Sequence, residues 1–365
     1  MVKWAWGRFC SQSGLCSVER ERRAEFLKEY MYQFWWRWTK FWVSLIFDLR
    51  RELVRVESVA GTRGPRRPLV QLTRCPSSRP SVKRYVRKGV PLEHRARVWM
   101  VLSGAQAQMD QNPGYYHQLL QGERNPRLED AIRTDLNRTF PDNVKFRKTT
   151  DPCLQRTLYN VLLAYGHHNQ GVGYCQGMNF IAGYLILITN NEEESFWLLD
   201  ALVGRILPDY YSPAMLGLKT DQEVLGELVR AKLPAVGALM ERLGVLWTLL
   251  VSRWFICLFV DILPVETVLR IWDCLFNEGS KIIFRVALTL IKQHQELILE
   301  ATSVPDICDK FKQITKGSFV MECHTFMQVC GAARGSVPSQ GAPPHLQPGG
   351  CSDHPEGAQD GHQWA

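Results

Sequence analysis

Ile132-Arg-Thr-Asp-Leu-Asn-Arg-Thr-Phe-Pro141 is the stretch on which the reading of this chain turns. Ile132, Asp135 and Arg138 step by three. On a helix they lie along one side, and Asp135 can reach Arg138. Ile132 and Leu136 can face a core and fix that helix. Pro141 bars simple continuation, which places Arg138 near the C-terminal end, beside a loop. A guanidinium there can project outward. An ordinary surface ion pair has the same pattern, so the meaning of the stretch depends on its surroundings.

Those surroundings read as helical. Asp151-Pro152 offers a cap followed by proline at the first helical position. Leu154, Leu158, Val161, Leu162 and Tyr165 follow at helical spacing, and Gly166 closes the segment. Glu192, Glu193 and Glu194 sit where a first turn favours negative charge, ahead of an apolar run from Phe196 to Leu202. Pro264 opens another helix, with Val265, Val268, Leu269, Trp272, Leu275 and Phe276 on one side and Gly279 at its end. Ile283, Val286, Ala287, Leu290, Ile291, His294 and Ile298 make one more face. No alternating run is bounded by hairpin dipeptides, and no fixed period suggests a solenoid. The expected fold class is all-α: an irregular bundle of a dozen or more helices over residues 83–329.

Two flanking zones differ from this domain. Residues 1–82 are basic and irregular, with loop-like tracts at Gly61-Thr-Arg-Gly-Pro-Arg-Arg-Pro68 and Cys75-Pro-Ser-Ser-Arg-Pro80. Residues 330–365 are rich in Gly, Pro, Ser and Gln and read as a disordered tail. The net charge of +8 is divided accordingly. Residues 1–90 carry 20 Lys/Arg against 7 Asp/Glu, and the rest carries 24 against 29. The basic character therefore belongs to the N-terminal quarter. There Phe34, Trp35, Trp36, Trp38, Phe41 and Trp42 cluster between Arg20–Arg23 and Arg50–Arg55. Residues 1–60 carry two open readings: peripheral contact with an anionic membrane, or a variant N-terminus that does not fold stably. Nucleic acid is not an expected partner, because the main domain is net negative and no base-reading motif occurs.

Other classes are set aside on chemistry. The 11 cysteines are odd in number and scattered, and none form C-x-x-C. With no continuous apolar run in residues 1–14, the chain reads as a reduced, cytoplasmic protein. Cys323 and His324 are adjacent, as are His167 and His168, so neither pair has zinc-ligand spacing. The apolar stretch 31–47 holds Arg37 and Lys40, and 246–263 holds Arg253 and Asp261; the latter reads as a buried helix pair, not a span. There is no P-loop, and Gly171, Gly173 and Gly177 do not match a dinucleotide fingerprint. Cys175 with His167 or His168 lacks an orienting third group. Trp197, Trp247, Trp254 and Trp272 read as core, His294 as a satisfied core residue, and Arg84–Lys88 as a solvated helix start.

Two further segments give the first its meaning. One is Arg87-Lys-Gly-Val-Pro-Leu-Glu-His-Arg-Ala-Arg-Val-Trp99, and the other is Gly173-Tyr-Cys-Gln-Gly-Met-Asn-Phe180. In the latter, Gly171, Gly173 and Gly177 suggest a tight loop whose backbone can approach a partner closely. Taken in order, with Ser252-Arg-Trp-Phe255, Leu263-Pro264 and Ile271-Trp-Asp273 behind them, these segments resemble the TBC domain family of Rab GTPase-activating proteins. The resemblance spans residues 83–329, about two thirds of the chain.

The resemblance implies a function. Arg138 would act as an arginine finger and Gln176 as a glutamine finger, both supplied in trans to a GTP-bound Rab. A fixed, always-charged fork suits the negative charge that phosphoryl transfer spreads over its transition state. A glutamine amide both donates and accepts, so it can orient water. Asp135 is expected to position Arg138. Asn179 is expected to hold the Gln176–Gly177 loop or touch the partner, and Tyr174 to pack beneath that loop or meet the GTPase. Arg95 and Trp99, four apart on a helix, are expected to be structural. No cofactor is expected on this chain, since GTP and Mg²⁺ belong to the partner. The localisation implied is cytoplasmic, peripheral to endomembranes. The competing reading is a scaffold of the same fold with little activity.

Overall fold

The structure, a computed structural model, describes residues 80–147 and 153–332. The expectations placed on residues 1–60, on Asp151-Pro152 and on the C-terminal tail lie outside the described residues. Helices come first from local signals. Asn125 accepts from Leu128 N and Pro126 stands at the first position, so a helix starts there and runs Pro126–Leu136. Asn191 accepts from Glu194 N, ahead of three glutamates in the first turn of Glu192–Asp200.

In chain order the N-terminal half holds α1 Pro80–Lys88, α2 Leu92–Ser103, α3 Ala105–Gln111, α4 Tyr115–Leu120, α5 Pro126–Leu136, α6 Leu154–His168, α7 Met178–Thr189 and α8 Glu192–Asp200. A π-helical turn, Ala201–Ile206, extends α8. The C-terminal half holds α9 Leu216–Lys232, α10 Pro234–Arg242, α11 Trp247–Ile256, α12 Val265–Glu278, α13 Lys281–Gln293, α14 Gln295–Leu299, α15 Val304–Gln313, α16 Ser318–Met321 and α17 Cys323–Ala332. No strand occurs among the described residues.

The most apolar helix, α7, packs against α2, α5, α6 and α8. In the other half α12 packs on α13 and α17 and also meets α1 and α2, while α9 meets α13. One apolar core runs through both halves, with Trp99, Tyr165, Phe196, Phe255 and Trp272 fully buried in it. Trp197 and Trp254 join them. Trp247 is half-buried, its ring lying where a Cβ on Gly226 would fall. His294 is half-buried and bonded to the Leu290 carbonyl.

Some expectations are corrected. Gly166 does not close α6, which continues to His168. A Cβ at Gly166 would come within 2.6 Å of the Leu128 side chain, so this glycine serves the close packing of α5 on α6. Residues 246–263 are not a helix pair. After α11 the chain turns, with positive φ at Leu258, Phe259 and Asp261. The face from Ile283 to Ile298 is divided between α13 and α14 at His294. Arg87 in α1 is not solvated: with Lys83 and Arg285 it meets the buried Glu278 carboxylate.

Candidate functional site

Arg138 lies just beyond α5, where the chain leaves the helix through tight turns. Arg138 N bonds Asp135 O, Thr139 N bonds Leu136 O, and the Thr139 hydroxyl also donates to Asp135 O. Phe140 then takes a positive φ of 50°, and Pro141 follows. The negative end of the α5 dipole favours a cation at this point. The Arg138 side chain is 45% exposed, whereas the Asp135 side chain it touches is only 7% exposed. Arg138 Nε donates to Asp135 Oδ1 at 2.7 Å. That hydrogen bond raises the Arg138 pKa further, so the side chain is a permanent cation.

The other carboxylate oxygen of Asp135 accepts from Tyr174 Oη at 2.5 Å. Burial pushes the Tyr174 hydroxyl well above its ordinary value, and the Asp135 hydrogen bond and charge push it further. The phenol therefore stays protonated and acts as a donor. Asp135 is thus held from behind by a half-buried tyrosine while it aims the guanidinium outward.

Gln176 sits on the loop between α6 and α7. Asn169 folds that loop: its carbonyl accepts from Gly173 N at 2.7 Å and its side chain accepts from Val172 N at 3.2 Å. Gly173 and Gly177 have φ of 61° and 109°. At Gly177 a Cβ would stand 3.3 Å from Ile256 Cγ1 at the end of α11, so both conformation and space call for glycine. Gln176 is exposed. With its amide oxygen turned to the guanidinium, it accepts from Arg138 Nη2 at 2.8 Å and Nη1 at 3.1 Å, the orientation that satisfies both groups.

Asp135, Arg138, Tyr174 and Gln176 therefore form one polar cluster, assembled from the end of α5 and the α6–α7 loop. Gly177 and Asn179 stand directly beneath it. Asn179 is fully buried, accepting from Gly177 N at 3.0 Å and donating to Thr139 Oγ1 at 2.8 Å. Beside the cluster Phe140 packs against Phe146, Phe180 and Tyr184. Arg253, paired with Asp261 at 2.6 Å, lies over the Phe180 ring.

Arg95 and Trp99 lie in a different network. Both donate to the fully buried Asp273, Arg95 at 3.0 and 3.3 Å and the indole at 2.9 Å, and Val90 N adds a third donor group at 3.0 Å. Burial raises the Asp273 carboxyl against the pull of Arg95 and those N–H groups. This network ties α2 to α12.

Cysteine chemistry finds no support in the geometry. The Cys175 thiol points to the Gln176 carbonyl, and burial, followed by the Asp135 charge, raises its pKa. His167 bonds the Leu119 carbonyl, and His168 lies between Tyr115 and Asp200. Thr139 was missing from the candidates drawn from sequence. Its signal was a hydroxyl four residues after Asp135 at a helix end, where back-bonding to the carbonyl is common.

A family model described as the Rab-GTPase-TBC domain matches residues 92–299, more than half of the chain. The chain belongs to this family. The TBC match includes both segments that carry the polar cluster. The chain is 94% identical over 269 residues to growth hormone-regulated TBC protein 1 from Homo sapiens, covering 74% of this chain and 80% of that one. It is 36% identical over 260 residues to the GTPase-activating protein MSB4 of Saccharomyces cerevisiae, covering 62% and 52% of the two chains. The crystal structure of the Chlamydomonas flagellar RabGAP TBC domain superposes with a TM-score of 0.63 at 30% identity, covering 87% of this chain and 96% of that one.

Proposed function

We propose that this TBC protein accelerates GTP hydrolysis on a GTP-bound Rab-family GTPase, with Arg138 and Gln176 entering the partner's nucleotide site in trans. One observation carries the reading. An exposed guanidinium and an exposed amide stand side by side, each braced from within the domain. The cluster holds no activated nucleophile, so its chemistry is that of charge stabilisation and orientation on another molecule's ligand.

In this reading Arg138 exchanges its contact with Gln176 for the oxygens of the transferring phosphoryl group. There a forked cation stabilises the charge of the transition state. Gln176, freed at the same moment, directs the attacking water through its amide. Asp135, held by Tyr174, limits the arcs that Arg138 can sweep. Arginine fingers supplied in trans contribute on the order of 10³–10⁵ in rate, or ~4–7 kcal/mol of barrier. The chain acts as an activator; GTP and Mg²⁺ are held by the GTPase. The Phe140–Phe180 surface and Arg253 flank the two fingers and would meet the partner's protein surface. The basic, aromatic residues 1–60 are suited to an anionic membrane surface, which would place the protein at the periphery of an endomembrane.

The test is single-turnover hydrolysis on a panel of GTP-loaded Rab proteins with the full chain and with Arg138→Ala and Gln176→Ala. Each variant should lose at least about 100-fold of the acceleration on any responsive Rab while remaining folded. Gln176→Ala should keep its melting temperature, and Arg138→Ala should lower it modestly because the buried Asp135 carboxylate loses a partner. A folded protein that accelerates none of them supports the scaffold reading instead.

A further inference from the structure

The two proposed fingers lie on separate segments, one following α5 and the other preceding α7. A buried chain of hydrogen bonds joins the segments. Gly177 N donates to Asn179 Oδ1 at 3.0 Å, Asn179 Nδ2 donates to Thr139 Oγ1 at 2.8 Å, and the Thr139 hydroxyl donates to Asp135 O at 2.7 Å. Thr139 immediately follows Arg138, and Gly177 immediately follows Gln176. Asn179 and Thr139 are 0% and 1% exposed, so water cannot stand in for either.

The directions of these bonds are fixed by chemistry. A threonine hydroxyl has one hydrogen, which it gives to the Asp135 carbonyl, so a lone pair is left for the Asn179 amide. The Asn179 amide must then present its oxygen to Gly177 N. Every group is satisfied in one arrangement only. A hydroxyl that merely capped α5 would need the bond to Asp135 O and nothing more. The bond to Asn179 crosses to the other segment and couples the two.

We infer that Thr139 and Asn179 are positioning residues that set the spacing of Arg138 and Gln176, and that they govern the maximal rate of activation and not the affinity for the GTPase. The inference rests on the two-finger reading above. Neither residue reaches the surface, so neither can touch the partner. Their effect passes through the placement of the fingers, where an error of about 1 Å costs about 100-fold.

The decisive variant is Thr139→Val, which keeps the shape of the side chain, removes the hydroxyl and leaves Asn179 Nδ2 without an acceptor. Thr139→Ser restores the hydroxyl, and Arg138→Ala tests the underlying reading. The full chain is titrated into a GTP-loaded Rab that the wild type accelerates. The saturating rate and the half-saturating concentration are read separately. Thr139→Val should lower the saturating rate by about 10- to 100-fold and leave the half-saturating concentration within about 2-fold. It should also lose binding to the Rab loaded with GDP and aluminium fluoride, which mimics the transition state, yet keep binding to the Rab loaded with a non-hydrolysable GTP analogue. Thr139→Ser should recover most of the rate.

A wild-type rate from Arg138→Ala would overturn the two-finger reading itself. An inactive Arg138→Ala with a wild-type saturating rate from Thr139→Val would overturn the positioning role alone. So would a failure of Thr139→Ser to recover activity while it folds normally. If Thr139→Val does not fold, Thr139→Ala is read in its place against the same outcomes.

Discussion

Arg138 has the geometry of a fork, and the fork is the property to test at the scale of the residue. Its Nε donates to Asp135 Oδ1, Nη2 reaches the same oxygen at 2.7 Å, and Nη1 and Nη2 face the Gln176 amide oxygen. Lysine at this position would keep the charge and lose the planar fork that meets both partners at once. Arg138→Lys should therefore retain no more than a few percent of the acceleration, close to Arg138→Ala, in single-turnover hydrolysis. Near wild-type activity would mean that a point charge suffices. Tyr174→Phe tests the other end of the same clamp. It removes the donor from Asp135 Oδ2, and a buried carboxylate left short of a partner costs about 1–3 kcal/mol. A melting temperature lowered accordingly, with a roughly 10-fold fall in saturating rate, is expected. A fall in melting temperature alone would leave Tyr174 as packing and remove it from the aiming of Arg138.

At the scale of the element, the α6–α7 loop presents Gln176 because two glycines allow backbone conformations that other residues resist. The two should not respond alike. Gly173 has φ of 61° with nothing near its missing Cβ, whereas Gly177 has φ of 109° and Ile256 at 3.3 Å. Gly173→Ala should cost about 1 kcal/mol, in line with the left-handed penalty for a non-glycine residue. Gly177→Ala should cost about 1–3 kcal/mol from backbone strain and also displace Gln176. Thermal melting orders the two variants, and the saturating rate should fall sharply only for Gly177→Ala. Equal effects would mean that the contact with Ile256 carries no weight. The same contrast explains what could be read from sequence. The step of three from Ile132 to Arg138, halted by Pro141, is local, and α5 with its exposed arginine followed from it. Gly166 was read as a stop because a glycine that ends a helix and one that admits Leu128 look alike in sequence. The turn after α11 was hidden because Leu258 and Phe259 are not residues that announce a positive φ.

For the molecule as a whole, one carboxylate of the C-terminal half gathers the basic side chains of α1. Arg87 donates to Glu278 through Nε at 2.5 Å and Nη2 at 2.7 Å, with Lys83 and Arg285 on the same oxygen pair at 3.2 and 3.1 Å. Arg87 and Glu278 are 191 positions apart in sequence, which is why the basic run in α1 read as solvated. Burial would lift the Glu278 carboxyl, but the hydrogen bonds and charge of Arg87, then Lys83, outweigh it and hold the pKa at about 2. The folded value lies below the ordinary 4.5, so the unfolded chain binds the proton more readily. The stabilisation is therefore complete above about pH 5 and is lost as the pH falls from there through about 2. Its ceiling is about 3.5 kcal/mol, from roughly 1.4 kcal/mol per pKa unit. Glu278→Gln removes the charge at every pH and leaves Arg87 and Arg285 without their counter-ion, at a cost of about 3–5 kcal/mol near neutrality. Urea unfolding of both proteins at pH 7 and at pH 3 separates this linkage from general acid sensitivity. The gap between wild type and Glu278→Gln should be wide at pH 7 and should shrink at pH 3, because there the unfolded wild type takes up a proton that the folded carboxylate still refuses, which lowers the stability of the wild type alone. A gap that stays constant with pH would show that the carboxylate does not titrate in this window, and that α1 is held by Val82 and Val86 against the core and not by its charges.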